Sequence, residues 1–254
     1  MAGYFFFLQL AVGLLAFLFP VPLTTTGKGF GRLIALIALG ALLFSSLLAL
    51  RMDLQKRHAP GTLFYASLGA FLACFLYVGL LAGRDRRKHQ AGLVIAALGS
   101  AAALAASLLS APRLPITLGN ALLSALLLGA ITDAMILGHW YIVLPKMTLV
   151  PLERLTLSFM VLVVLRALFV TLLGQPTWPI GLDLHPERLW PALFTIQRLA
   201  VGLVVPFVFA IMIWKTAKIR STQSATGILY VANVFVFVGE LISTYMTYSL
   251  GRIC

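Results

Sequence analysis

Acidic residues are scarce in this sequence of 254 residues, which contains only seven Asp and Glu. Charged residues of both signs make up 10% of the chain, whereas average protein usage is about 25%. Hydrophobic residues make up 61%, and the mean hydropathy is +1.02. This composition excludes an ordinary soluble domain and indicates that most of the molecular surface faces lipid.

Cysteines and catalytic motifs are also scarce. Cys74 lies inside an apolar run and Cys254 is the last residue of the sequence, so we expect no structural disulfide. There is no Cys-x-x-Cys-His motif for covalent haem attachment. A phosphate-binding loop, a nucleophile elbow and a His-Glu-x-x-His helix are absent too. The sequence therefore gives no support to a hydrolase or an ATP-driven machine.

Apolar runs of about 20 residues recur along the whole chain, and each is long enough to cross a bilayer as a helix. They predict an all-α polytopic bundle of about eight spanning helices, in a single transmembrane domain over residues 1–254. Helices one to four, within residues 1–110, form an apolar packing half, and helices five to eight, within 116–249, carry the buried polar residues. The predicted bounds are 4–23, 29–50, 62–83, 91–110, 116–143, 152–173, 190–214 and 224–249.

The net charge of +12 arises mainly from basic residues in the short connections between apolar runs. This distribution favours contact with anionic lipid headgroups over nucleic acid. Eight spans put both termini on one side, with six basic residues there and eleven on the other, so the positive-inside rule places both termini outside the cytoplasm. The cluster of Arg51, Lys56 and Arg57 argues against this orientation. The eleven are Lys28, Arg32, Arg84, Arg86, Arg87, Lys88, Lys146, Arg154, Lys215, Lys218 and Arg220.

Three ionisable residues in the second half of the chain, Arg166, Arg198 and Glu240, fall at comparable depths within helices six, seven and eight. An ionised side chain near the bilayer centre costs about 2.5–3.5 kcal/mol on insertion scales, so we expect these three to pair. Asn233 shares the face of Glu240 on helix eight, and Gln197, next to Arg198, is a candidate for further hydrogen bonds. The complete polar face predicted for helix eight is Thr226, Tyr230, Asn233, Glu240, Thr244 and Thr247.

Two interpretations of this cluster stay open. It is either a structural ion-pair network that holds helices six to eight together, or a site where the surplus arginine binds an anionic or carbonyl-bearing ligand. No metal site is predicted, because Asp183, His185 and Glu187 in the longest connection alternate in a way that is typical of a polar loop.

Asp133 and His139 lie on helix five, six residues apart and about 120° from sharing a face. Asp133 is either a protonated packing residue or a group for proton transfer or ligand binding. His139 is interpreted as an interfacial residue, a quinone hydrogen-bond donor or a haem ligand. A b-type haem is disfavoured, because His89 is the only candidate for a second imidazole on the same side.

Three functions remain open. The first is a non-catalytic integral membrane subunit of a bacterial respiratory or other electron-transfer complex, with other membrane subunits as partners and a quinone or lipid among helices five to eight. The second is a small-solute or proton-coupled transporter, and the third is a structural or assembly protein. In size, span number and external termini the sequence is similar to the quinol-interacting membrane anchors of bacterial molybdoenzyme-type complexes, a resemblance of architecture that assigns no residue.

Overall fold

The computed structural model describes residues 1–55, 61–83, 85–109, 111, 113–143, 148–174 and 186–251, without the side chains of residues 24, 25, 143 and 186–191. All regular structure in these ranges is helical. The elements are α1 (Ala2–Phe17), α2 (Leu23–Gln55), α3 (Thr62–Leu80), α4 (Arg86–Leu108), α5 (Leu114–Val143) and α6 (Val150–Leu173), followed by α7 and α8. Helix α7 has three consecutive pieces, Pro186–Leu199, the π-helical segment Ala200–Val204 and Val205–Lys218, and α8 is Thr222–Ser249.

The eight predicted helices are all present, and seven of the described helices are long and apolar enough to cross a membrane. The exception by length is α1, with 16 residues. The prediction extended this helix to residue 23, which is wrong by six residues. Helix α1 ends early because Pro20 and Pro22 follow it closely, and the residue before a proline is disfavoured in the α conformation.

Helix α1 lies inside the bundle. It packs against α2, α4, α5 and α8, while α3 packs on α2 and α4, and α6 and α7 pack on the outer side of α5 and α8. Gly13 of α1 faces Gly129 of α5 so closely that a Cβ atom built on Gly13 would lie 1.9 Å from the carbonyl oxygen of Ala125. This contact brings the first helix of the chain against the half that carries the buried polar residues.

The start of α2 is hydrogen-bonded to the carboxyl-terminal end of α5. Gly27 breaks the helix with φ 81° and ψ 158°, a backbone conformation that residues with a Cβ rarely adopt. The indole Nε1 of Trp140 donates to the carbonyl oxygen of Thr26 at 3.0 Å. Trp140 therefore joins α5 to α2.

Candidate functional site

Glu240 of α8 lies between the guanidinium groups of Arg166 on α6 and Arg198 on α7. Arg198 Nη2 donates to Oε1 at 2.6 Å and Arg166 Nη2 donates to Oε2 at 3.3 Å, and all three side chains are 0% exposed. The predicted pairing is therefore confirmed. Among the described residues, one carboxylate faces two arginines, which stay protonated in proteins, so these three side chains together carry a surplus positive charge.

The remaining partners of Arg166 are neutral groups that were not predicted from the sequence. Arg166 Nη1 donates to Asn120 Oδ1 at 2.6 Å, and Nη2 donates to Ser124 Oγ at 2.9 Å and Ser243 Oγ at 2.8 Å. Ser124 in turn donates to Glu240 Oε2 at 2.6 Å. These residues extend the cluster to α5, and we call the following set the charge network: Asn120, Ser124, Arg166, Arg198, Glu240 and Ser243.

The π-helical segment of α7 places Arg198 against α8. Pro206 has no N–H group, so in an α-helix the carbonyl of Gly202, four residues earlier, would lack its partner. Arg198 Nη1 donates to this carbonyl oxygen at 3.1 Å. A Cβ atom on Gly202 would lie 2.5 Å from Arg198 Nη1 and 2.8 Å from Gly239 Cα, so glycine at this position lets α7 approach α8 closely enough for Arg198 to reach Glu240.

Two of the predicted site residues lie outside the charge network. Asn233 is buried, but its Oδ1 accepts a hydrogen bond from Thr132 Oγ1 at 3.1 Å, two turns along α8 from Glu240. The side chain of Gln197 is exposed, because adjacent helix positions diverge by about 100° and its neighbour Arg198 points inward. Of the polar face predicted for helix eight, Tyr230 is 45% exposed and the other five residues are buried.

Asp133 is fully buried in α5. Among the described residues, neither of its carboxyl oxygens has a hydrogen-bond partner. Burial of an unpaired charge is costly, which favours the uncharged acid at this position. Asp133 lies nine residues beyond Ser124, or about 13 Å along the helix, so the structure does not join it to the charge network.

The histidines occupy separate environments. The exposed ring of His139 packs edge-on against Tyr230, with 6.4 Å between centroids. His89 Nε2 instead lies 3.1 Å from the carbonyl oxygen of Gly83 in the preceding connection. Asp183 and His185 lie outside the described residues, as does the side chain of Glu187. Within the described part of the chain, no three His, Cys, Asp or Glu side chains lie close enough together to hold a metal ion.

A cavity of about 600 Å³ lies where α3 and α5 begin and α8 ends, and we call it the end cavity. Thr247, in its wall, accepts a hydrogen bond from Asn120 Nδ2 at 3.4 Å, and the Oδ1 of the same amide binds Arg166. The charge network therefore contacts the wall of the end cavity through Asn120. The described residues that line the end cavity are Met1, Phe5, Thr62, Leu63, Ala106, Ser107, Leu108, Ala111, Arg113, Thr117, Leu173, Thr247, Tyr248 and Gly251.

The wall of the end cavity combines apolar and hydroxyl-bearing side chains with the charged side chain of Arg113. The ring of Tyr248 stacks on Phe5 with 3.7 Å between centroids. The Tyr248 hydroxyl accepts a hydrogen bond from Gln9 Nε2 at 3.4 Å, which allows it to donate its own proton to a ligand. Such a wall offers a ligand both apolar contacts and hydrogen-bonding groups. Comparisons of this chain with protein-family models, with curated proteins and with solved structures find no match.

Proposed function

We propose that this protein is an integral membrane subunit of a bacterial respiratory or other electron-transfer complex, without catalytic chemistry of its own, and that the end cavity binds a quinone or a lipid. The observation that carries the proposal is the end cavity itself. Its volume of about 600 Å³ falls within the usual range of ligand sites, about 300–1,000 Å³.

The two walls of the end cavity match the two parts of such a ligand. Phe5, Leu63 and Leu108 supply apolar surface for a ring or an acyl chain, and the hydroxyls of Thr247 and Tyr248 supply hydrogen-bond donors for a carbonyl or an ester. The charge network behind Asn120 holds α5, α6, α7 and α8 together around this end of the bundle.

The proposal of partner subunits rests on the short connections between the described helices. Residues 18–22 join α1 to α2, and 219–221 join α7 to α8. Loops of this length hold no folded domain, so redox chemistry outside the bilayer would come from another protein.

We further propose that all eight helices cross a bacterial cytoplasmic membrane and that both termini lie outside the cytoplasm. At its start, α1 contacts the end of α8 through Phe5 and Tyr248. After α1 has ended, the carbonyl of Thr26, near the start of α2, contacts Trp140. This contact is close to the position where Gly138 meets Thr226 at the start of α8. The chain from Phe5 to Thr26 thus runs the length of α8, which supports a full crossing.

The first experiment is purification of the tagged chain from its native membrane in a mild detergent. Mass spectrometry then identifies bound lipids, quinones and proteins, and a reduced-minus-oxidised spectrum detects redox centres. We expect a stoichiometric cytochrome or iron–sulfur subunit and one bound amphiphile. A colourless protein without partners or a bound amphiphile would contradict the proposal.

The environment of Asp133 favours a second candidate, a proton-coupled transporter. A fully buried carboxyl group without a hydrogen-bond partner among the described residues has the properties of a proton carrier within a membrane. Proteoliposomes containing a pH-sensitive dye test this role. Proton uptake that is lost in Asp133→Asn and kept in Asn233→Ser would favour the transporter over the electron-transfer subunit, provided that both variants elute as the wild type.

A further inference from the structure

The described residues that line the end cavity include one charged side chain, Arg113. At the same wall, the first residues of α3, Thr62 and Leu63, face the cavity, and α3 has no side-chain cap on its amino-terminal amides. The amino-terminal end of a helix carries a partial positive charge. The carboxylate of Asp53 accepts a hydrogen bond at 2.8 Å from the amide of Gly61, the residue that precedes α3, and offsets this partial charge without lining the cavity. The positive potential at the cavity wall therefore comes from Arg113.

The charge network adds to the positive electrostatic potential at the end cavity from inside the protein. Its two arginines and single glutamate leave a surplus positive charge in a fully buried setting, where charges are screened less than at a surface. Asn120 connects this charge to Thr247 in the cavity wall. Asp133 lies on the opposite side of the network along α5, and so does not stand between Arg166 and the cavity.

We propose that the end cavity selects an anionic phospholipid, whose phosphate is bound by Arg113 and by the hydroxyl of Thr247. The inference rests on the proposed function and narrows its ligand from a quinone or lipid to one class. The apolar wall of Phe5, Leu63 and Leu108 receives an acyl chain. This wall distinguishes a phospholipid from free phosphate, which has nothing to place there.

Native mass spectrometry of the delipidated full chain tests the selectivity. Phosphatidylglycerol, phosphatidylcholine with the same acyl chains, ubiquinone and inorganic phosphate are titrated separately. We expect phosphatidylglycerol to bind about tenfold more tightly than phosphatidylcholine. Both lipids carry a phosphate, but the choline cation of phosphatidylcholine is repelled by the positive charge of the site, and the attraction of an anionic lipid to one basic residue corresponds to a difference of about that order. Inorganic phosphate should not bind measurably.

The Arg113→Gln variant should lose most of this tenfold preference, because it weakens the binding of phosphatidylglycerol more than that of the zwitterionic phosphatidylcholine, while Arg113→Lys should keep most of the preference. Arg51→Gln is the matched control, because it removes one exposed positive charge from the same end of the bundle, outside the lining. An equal effect of Arg51→Gln and Arg113→Gln would overturn the inference and indicate a general surface charge.

The outcomes for the two proposals are distinct. Binding of phosphatidylcholine or ubiquinone as tightly as phosphatidylglycerol would overturn the selectivity and leave the proposed function intact. Binding of none of the amphiphiles would overturn both. Binding of inorganic phosphate as tightly as phosphatidylglycerol would assign the site to a free anion.

Discussion

Glu240 supplies the negative charge that compensates two buried arginines. Each of its carboxyl oxygens accepts a hydrogen bond from a different arginine, and Ser124 donates a further one. Because the arginines cannot give up their protons, removal of the carboxylate leaves both charges uncompensated. The neutral partners Asn120 and Ser243 share the hydrogen bonding of Arg166 but supply no charge.

Glu240→Gln should destabilise the protein by about 3–5 kcal/mol, the usual cost of breaking a buried ion pair from one side. Arg198→Gln should cost less, because Arg166 and Glu240 then remain as a neutral pair. The measurement is the thermal unfolding midpoint of each variant in detergent. Glu153→Gln, at the start of α6, is the control for the same chemical change outside the network.

The opposite order of stability would show that the network does not carry a surplus positive charge. A Glu240→Gln variant with wild-type stability, but without redox partners or a bound amphiphile, would instead assign the network to function and remove the purely structural interpretation.

At this scale the pairing of Arg166, Arg198 and Glu240 could be predicted, because the cost of an isolated charge in lipid forces charged side chains together. Asn120, Ser124 and Ser243 could not, since a neutral polar residue in an apolar helix has little cost by itself. The available signal was the spacing of four residues between Asn120 and Ser124, which puts both on one face of α5. The sequence does not say which helix this face meets.

Helices approach each other closely at two pairs of glycines. Gly13 faces Gly129 between α1 and α5, and Gly202 faces Gly239 between α7 and α8. In lipid, association of helices depends on close packing, and small residues permit it. The second contact also sets the distance between Arg198 and Glu240.

Gly202→Ala should destabilise the protein by about 1–3 kcal/mol, the range for overpacking, because the new methyl group would meet both Arg198 and the backbone of Gly239. Gly227→Ala on α8 is the matched control, since a Cβ atom there has no neighbour within 4 Å. Thermal unfolding measures the difference. Equal unfolding midpoints for the two variants would contradict a close contact between α7 and α8.

Gly13→Ala should be more damaging than Gly202→Ala. Its Cβ atom would lie 1.9 Å from the carbonyl oxygen of Ala125 and 2.7 Å from the amide nitrogen of Gly129, and backbone atoms cannot rotate away as a side chain does. We expect loss of monodisperse protein in size-exclusion chromatography. Gly40→Ala on α2, with open space around it, should elute as the wild type, and an identical profile for Gly13→Ala would refute the packing of α1 on α5.

The presence of each helix could be predicted from hydropathy, because a bilayer requires about 20 apolar residues for each span. The irregular features could not. The π-helical segment Ala200–Val204 depends on Pro206 and on the contact between Gly202 and Gly239 across two helices. Likewise, the break at Gly27 lies beside a tertiary hydrogen bond from Trp140 to Thr26, which the local sequence does not show.

A cluster of basic residues marks one end of the molecule. The described basic side chains at the end opposite the termini include Lys28, Arg87, Lys88, Lys215 and Lys218. Lys28 Nζ donates to the carbonyl oxygen of Gly83 at 2.7 Å, and Lys218 lies over the ring of Trp214. If this end faces the cytoplasm, anionic lipids hold it there, and the end cavity opens on the opposite side.

Cysteine labelling tests this orientation and the crossing of α1 together. In a Cys254→Ser background, in which Cys74 is buried, we expect Ser249→Cys and Ala2→Cys to react with an impermeant maleimide in intact spheroplasts. Lys88→Cys and Phe19→Cys should react only in inverted vesicles, because Phe19, 52% exposed, follows α1 at its far end. Reaction of Ala2→Cys and Phe19→Cys from the same side would show that α1 does not cross. An inverted pattern for all four would keep the eight crossings and reverse the orientation, so that the end cavity would open to the cytoplasmic leaflet.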